Sequence, residues 1–234
     1  MHEANMSEKN KEAADVQSIT RIVVRPYGSA LPLGCFAFGV GNALLSAYAL
    51  HWIPLGDTNV IAIMMLAFVA PLELIPCIMA FLSRDSGGAT AMGVFAAAWV
   101  VQGIELLTGP IGSTSIAVGV FLFLLALILI VLTVASFPGK PLLGVLLTIA
   151  VLRSSGAALV QFGFAGAAIL FTAWTGFLLA AFAFYSGLGF LMEDIKQRPL
   201  AMTFRRKEAK AALEGDLAHQ LKPLANEAGV RQQL

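Results

Sequence analysis

Charge is what this sequence lacks. Only 12% of its 234 residues are Asp, Glu, Lys or Arg, against about 25% in an ordinary soluble domain. Between residues 27 and 192 there are just seven: Asp57, Glu73, Arg84, Asp85, Glu105, Lys140 and Arg153. The other 22 sit in the two ends of the chain. A middle section so poor in charge cannot solubilise a globule, which excludes an ordinary soluble fold. Disorder is excluded as well, because 58% of the chain is hydrophobic.

Other absences narrow the chemistry. There are two cysteines, Cys35 and Cys77, each embedded in an apolar run. They offer neither a disulfide framework nor metal-ligand spacing, and are expected as small buried packing residues. His2, His51 and His219 lie far apart with no H-E-x-x-H, which argues against a zinc protease. No G-x-x-x-x-G-K-[ST] loop is present to cradle nucleotide phosphates, so an ATP-driven pump would need another subunit. No G-x-S-x-G elbow is present either. The net charge of +1 and the absence of a free basic patch argue against nucleic acid as a partner. Residues 1–26 are polar, without the basic start, apolar stretch and small-residue site of a removable signal peptide. The sequence therefore predicts no enzyme, no cofactor, no metal and no catalytic residue.

What is there is a series of long apolar runs. Reading them between Gly, Pro and charged residues predicts an all-α membrane protein with six spans, at 31–52, 59–83, 87–107, 114–137, 141–162 and 165–192. The last is long enough to tilt or protrude. A polar tail (1–26) precedes the transmembrane domain (27–192) and another (193–234) follows it. Lys and Arg fall in the amino-terminal tail (Lys9, Lys11, Arg21, Arg25), the second-to-third connection (Arg84), the fourth-to-fifth (Lys140) and the carboxy-terminal tail. The other connections contain none. By the positive-inside rule both termini are cytoplasmic. Leu213, Leu217 and Leu221, at four-residue spacing, fit either a short amphipathic helix or a solvated tail.

Charged groups within the spans are costly and commonly mark a pathway or a buried partner. Glu73 and Arg153 lie ten and twelve residues from the cytoplasmic ends of spans two and five, roughly 15 and 18 Å deep at about 1.5 Å per residue. At matched depth they either neutralise each other as a buried pair or face a path, Arg153 attracting an anion and Glu73 exchanging a proton. Glu105, one turn after Gln102 near an outer helix end, reads as a solvated terminus or a vestibule residue. Asn42, Gln102 and Gln161 are weaker pathway candidates, since lone amides also serve as interhelical hydrogen-bond glue. Ala30, Gly34, Ala37 and Gly41 carry small-residue spacing along the first span, suited to close packing within one subunit.

Three pieces of the chain resemble the acetate uptake transporter family, which includes the bacterial succinate–acetate permeases. Ser29-Ala-Leu-Pro32-Leu33-Gly34 keeps the Pro-Leu-Gly half of the family's Asn-Pro-Ala-Pro-Leu-Gly opening. Gly88-Ala89-Thr90-Ala91-Met92, followed by Phe95 and Trp99, is similar to the family's stretch at the start of the third helix. Ala173-Trp174-Thr-Gly176, then Tyr185 and Arg198, is similar in spacing to the family's ending. The resemblance spans about residues 28–200. It implies a six-helix protomer, homo-hexameric assembly and one path per protomer. It also implies transport of a small monocarboxylate such as acetate, with succinate a second candidate, coupled to protons across an inner or plasma membrane.

Carried over by position, the family's hydrophobic constriction falls on Phe38, on Phe95 (where the bacterial permeases have Tyr) and on an apolar residue near 150–152, taken as Leu152. Glu73 stands where those permeases have Gln, Ala80 where they have Glu, and Arg153 where they have an apolar residue. Substrate identity is what these departures put in question. The competing readings are a passive channel for ammonia, urea or undissociated acid, and a membrane scaffold without transport. Fusing a reporter that is active only in the cytoplasm to either end of the chain should give signal from both fusions; a silent fusion at one end would contradict the predicted topology.

Overall fold

In the computed structural model the described residues are 28–83, 85–196 and 200–206. Both the amino-terminal tail and the Leu213–Leu217–Leu221 segment lie outside them. Six helices are long and apolar enough to cross a membrane: α1 (Leu31–Ala49), α2 (Leu55–Leu82), α3 (Ser86–Thr108), α4 (Ile116–Ser136), α5 (Pro141–Gln161) and α6 (Ala167–Lys196). No strand occurs among the described residues. Helices meet a constraint the bilayer imposes: backbone N–H and C=O groups there find no water, and a helix satisfies them within the segment.

Local sequence explains the boundaries. Pro32 and Pro141 sit in the first turns of α1 and α5, where the missing N–H has no intrahelical partner to lose. Asp85 caps α3 by accepting the Gly88 N–H at 3.1 Å. Ser115 caps α4 by accepting from Val118 N–H at 3.4 Å. Helix α2 departs most from expectation. It opens earlier, with a 3₁₀ turn at Leu55–Asp57, and contains a π turn at Met65–Val69. Pro71 follows two residues later and has no N–H to continue a regular ladder. A wider turn just before it accommodates that break. Helix α6 also runs beyond the expected end at Met192, to Lys196.

Helix α1 packs chiefly on α6, α4 on α5, α2 on α3, and α5 on α6. At Gly41 the approach is close enough to require glycine, since a Cβ there would lie 2.9 Å from the Trp99 ring and 3.0 Å from Val69 Cγ1. The small-residue stripe of α1 thus packs within the subunit, as expected. Cys35 and Cys77 are free and buried. Outward-facing apolar side chains, such as Ile116, Val131 and Val134 on α4, are heavily exposed, a surface suited to hydrocarbon and not to water. Trp52, Trp174 and Phe177 cluster at the end of the bundle that carries Ala49 and Ala167, with Trp52 5.1 Å from Phe177 and 6.3 Å from Trp174 between ring centroids. Such aromatics suit a membrane–water boundary.

The opposite end, which carries Leu31 and Lys196, is tied by charge. Lys140 pairs with Asp85. Buried Glu193 accepts from Leu200 N–H at 3.1 Å, from Thr203 Oγ1 and from Arg205 Nε at 2.7 Å. Arg206 N–H donates to Gly139 O at 3.0 Å. Burial opposes ionisation of Asp85, but Lys140, the Gly88 N–H and Arg205 outweigh it and hold the carboxyl below its ordinary value. With the folded value depressed, its stabilisation is complete above the unfolded value of about 3.9 and is lost as pH falls through the folded one. Asp85→Asn keeps the helix cap and removes the charge. It should cost about 1 kcal/mol near neutral pH in thermal unfolding of the detergent-solubilised protein, and the gap from the parent should close on acidification below the carboxylate range.

Candidate functional site

Five of the six helices converge on two cavities in line. The wider one, about 160 Å³, lies between the Ala49 and Gln161 ends of the bundle and is lined by Leu45, Gln102, Glu105, Leu122, Gln161 and Thr172, among others. Gln161 organises its rim. Its Oε1 accepts the Ser115 N–H at 2.7 Å and its Nε2 donates to Glu105 Oε1 at 3.5 Å. Glu105 and Gln161 both line this vestibule-shaped cavity, held by these contacts.

Deeper in the bundle, a cavity of only about 20 Å³ shares Gln102 and Leu122 with the vestibule and adds Phe38, Asn42, Phe95, Trp99, Arg153 and Ser154. Phe38 and Phe95 stand with ring centroids 4.4 Å apart, and Trp99 lies 6.0 Å from Phe38, edge-on. All three rings are buried. They form an aromatic floor under the polar groups. Asn42 donates from Nδ2 to Phe38 O at 2.8 Å, leaving its amide oxygen for the cavity. Gln102 Nε2 reaches Ala98 O at 3.4 Å. The structure thus brings Phe38, Asn42, Phe95, Gln102 and Arg153 together around one small space.

Leu152 does not join them. It is 46% exposed on the outside of α5, about 100° around the helix from Arg153, and Ala150 and Arg153 hold the wall instead. The buried ion pair is not formed either. Among the described residues Arg153 has no carboxylate partner, and its Nε is buried without any hydrogen bond. Glu73 is fully buried, accepts Trp99 Nε1–H at Oε1 (2.8 Å), and has no partner at Oε2. It lines neither cavity. Trp99 touches both sides, bonded to Glu73 and walling the cavity that holds Arg153.

The other motif residues lie away from both cavities. Pro32 and Gly34 pack at the start of α1, where Gly34 faces Met92 and Pro76, while Leu33 is partly exposed. Gly88 gives its N–H to Asp85, and Thr90 donates to Ser86 O at 2.7 Å from an exposed position. Trp174 belongs to the aromatic boundary cluster, and Tyr185 donates to Met202 O at 3.1 Å. Ser46 and Gly176 matter more than their sequence context suggests. Ser46 follows Asn42 by one helical turn and so shares its face, and that spacing is the signal that could have singled it out. Among the described residues, no group of three or more His, Cys, Asp or Glu is placed to hold a metal ion.

The bacterial acetate channel SatP matches with a TM-score of 0.66 at 18% identity, over 74% of this chain and 97% of that one. The fold is shared with that channel. No protein-family model and no curated protein matches the chain by sequence. The fold-level likeness agrees with the resemblance read from the three motif pieces.

The Glu73–Trp99 bond is the main polar tie of α2 to the site. Trp99→Phe should destabilise the solubilised protein by about 2 kcal/mol, because it strands a buried carboxyl. In a Glu73→Leu background the same change should cost distinctly less. Equal costs in both backgrounds, measured by thermal unfolding, would mean that the bond contributes nothing.

Proposed function

We propose that this protein moves a small monocarboxylate such as acetate across a membrane, along a path from the vestibule through the space between Phe38, Phe95 and Arg153. The observation that carries this reading is Arg153, a buried cation without a carboxylate partner in a narrow cavity walled by aromatic rings. A structural ion pair would have neutralised it; a path for anions uses it. A carboxylate entering so tight a space loses its water, and a fixed guanidinium compensates that loss in a low-dielectric setting where its effect is strong. Ammonia or urea gains nothing comparable. The likeness of fold to an acetate channel supports the same reading.

The proposal includes a proton moving with the acid, through Glu73. That carboxyl has one oxygen free and is one side chain, Trp99, away from the cavity. Since Glu73 does not pair with Arg153, protonation acts through the Trp99 contact and not by releasing a salt bridge. The fold neighbour, described as a channel, favours a second version in which the acid passes without coupling. One path per protomer, and assembly as a homo-hexamer with cytoplasmic termini, are part of the proposal.

Purified protein in liposomes, assayed with labelled acetate and labelled urea at two external pH values, tests it. The coupled version predicts saturable acetate uptake that is faster at lower pH, with urea uptake equal to that of empty liposomes. Arg153→Met should reduce acetate uptake at least about tenfold, the scale of losing a hydrogen bond to a charged group. Non-saturable flux without pH drive would establish the passive version, and acetate flux no greater than in empty liposomes would refute both. Mass measurement of the solubilised protein reads the assembly directly.

A further inference from the structure

The wide cavity at the Ala49 and Gln161 end holds one ionisable group, and its charge has the sign that repels a carboxylate. Of the residues lining that space, which come from α1, α3, α4, α5 and α6, Glu105 alone carries a charge. Gln102 and Thr172 are uncharged, and Gln161 meets Glu105 only loosely, Nε2 to Oε1 at 3.5 Å. His51 after α1 and Asp57 in the first turn of α2 are exposed and line neither cavity. Arg153 lies in the deeper cavity, beyond Gln102 and Leu122. Among the described residues no cation pairs with Glu105.

The space is nevertheless sized and lined for a small acid. About 160 Å³ holds several water-sized groups, each needing roughly 10–15 Å³. Leu45, Val118, Leu122 and Ile169 give it apolar walls for an alkyl group. Gln102 precedes Glu105 by three residues, so both side chains share one face of α3. An amide nitrogen carries two N–H groups. Gln102 and Gln161 each commit one, to Ala98 O and to Glu105, and keep a second to offer. The polar lining thus sets a carboxylate acceptor beside amide donors.

Two carboxylates brought together in a partly apolar space do not both stay ionised; the pair takes up one proton and shares it. An undissociated acid has the O–H that Glu105 accepts and the carbonyl oxygen to which an amide N–H donates. We propose that this vestibule binds a short-chain monocarboxylate together with one proton from bulk water, held between the acid and Glu105, with Gln102 and Gln161 donating to the acid's other oxygen. One O–H bond forms and none breaks. The inference rests on the transport reading for the identity of the ligand, and adds the residue that loads the proton. Acid and proton meet at the mouth of the path, before Glu73 or Arg153 is reached.

Calorimetry on the full-length, detergent-solubilised chain, with acetate titrated in two buffers of different ionisation heat, counts the protons taken up on binding. About one proton per acetate is expected near neutral pH, with affinity weakening about tenfold for each pH unit of increase. Glu105→Gln replaces the shared proton with an amide N–H. It should bind acetate with no proton uptake and with one affinity across that range. Acetamide, neutral and carrying both N–H and C=O, should compete with acetate for the parent without proton uptake of its own. Unfolding midpoints without ligand check that Glu105→Gln folds. If it does not, acetamide decides, and its failure to compete overturns the proposal.

No saturable acetate binding, no proton uptake by the parent, or uptake that persists in Glu105→Gln and disappears in Glu73→Gln would overturn the assignment. Proton-linked binding that depends on Glu105, without flux in liposomes, would remove the transport reading and leave the site. Acetate flux with a proton count that Glu105→Gln leaves intact would do the reverse.

Discussion

A guanidinium held among helices, largely buried and without a carboxylate partner among the described residues, constrains everything around it. Removing such a group from water is expensive unless something replaces the lost hydration, and five helices contribute to the wall around Arg153 without supplying that replacement. Gly176 gives it space, Ser46 stands beside it with an idle hydroxyl, and the rings of Phe38, Phe95 and Trp99 hold the surroundings apolar. A tightly packed protein that tolerates this must gain from it elsewhere, and an anionic solute is the simplest source of the missing acceptor.

The rest of the molecule divides into parts that support this centre and parts that frame it. Helix α2 lines neither cavity, yet its π turn and two prolines precede or flank Glu73, which holds Trp99 in place from behind. Gln161 and Glu105 shape the wide entrance, where a solute can still keep part of its water. At the other end, the Asp85–Lys140 pair and the contacts of Glu193 bind the fourth-to-fifth connection and the segment after α6 to the bundle. The narrowing from about 160 to about 20 Å³ along this line is the geometry a size filter needs.

Much of the fold was legible in the amino-acid sequence, because hydrocarbon imposes a strong rule on length and composition. All six spans appear where the apolar runs put them, with ends shifted by a few residues. The larger shifts have local causes. The start of α2 gains a 3₁₀ turn, and α6 continues past Met192 because Glu193 finds donors from Leu200, Thr203 and Arg205. The site was legible only in part. Depth along a helix is a single coordinate, and it placed Glu73 and Arg153 at one level without saying that Trp99 stands between their surroundings. Leu152 and Arg153 are neighbours in sequence, but the turn of α5 sends one outward and the other inward. Ser46 stayed unnoticed although it follows Asn42 by one helical turn, because that spacing on an apolar helix gains meaning only once the neighbours on α5 and α6 are known.

The most direct test of the central claim is an experimental density map of the membrane-embedded protein soaked with bromoacetate, whose bromine marks the ligand's position. The account predicts density in the cavity between Arg153 and the Phe38–Phe95 rings, with Arg153 turned towards the ligand and Glu73 still bonded to Trp99. A map in which Arg153 instead pairs with Glu73, with no ligand in the cavity, would contradict it.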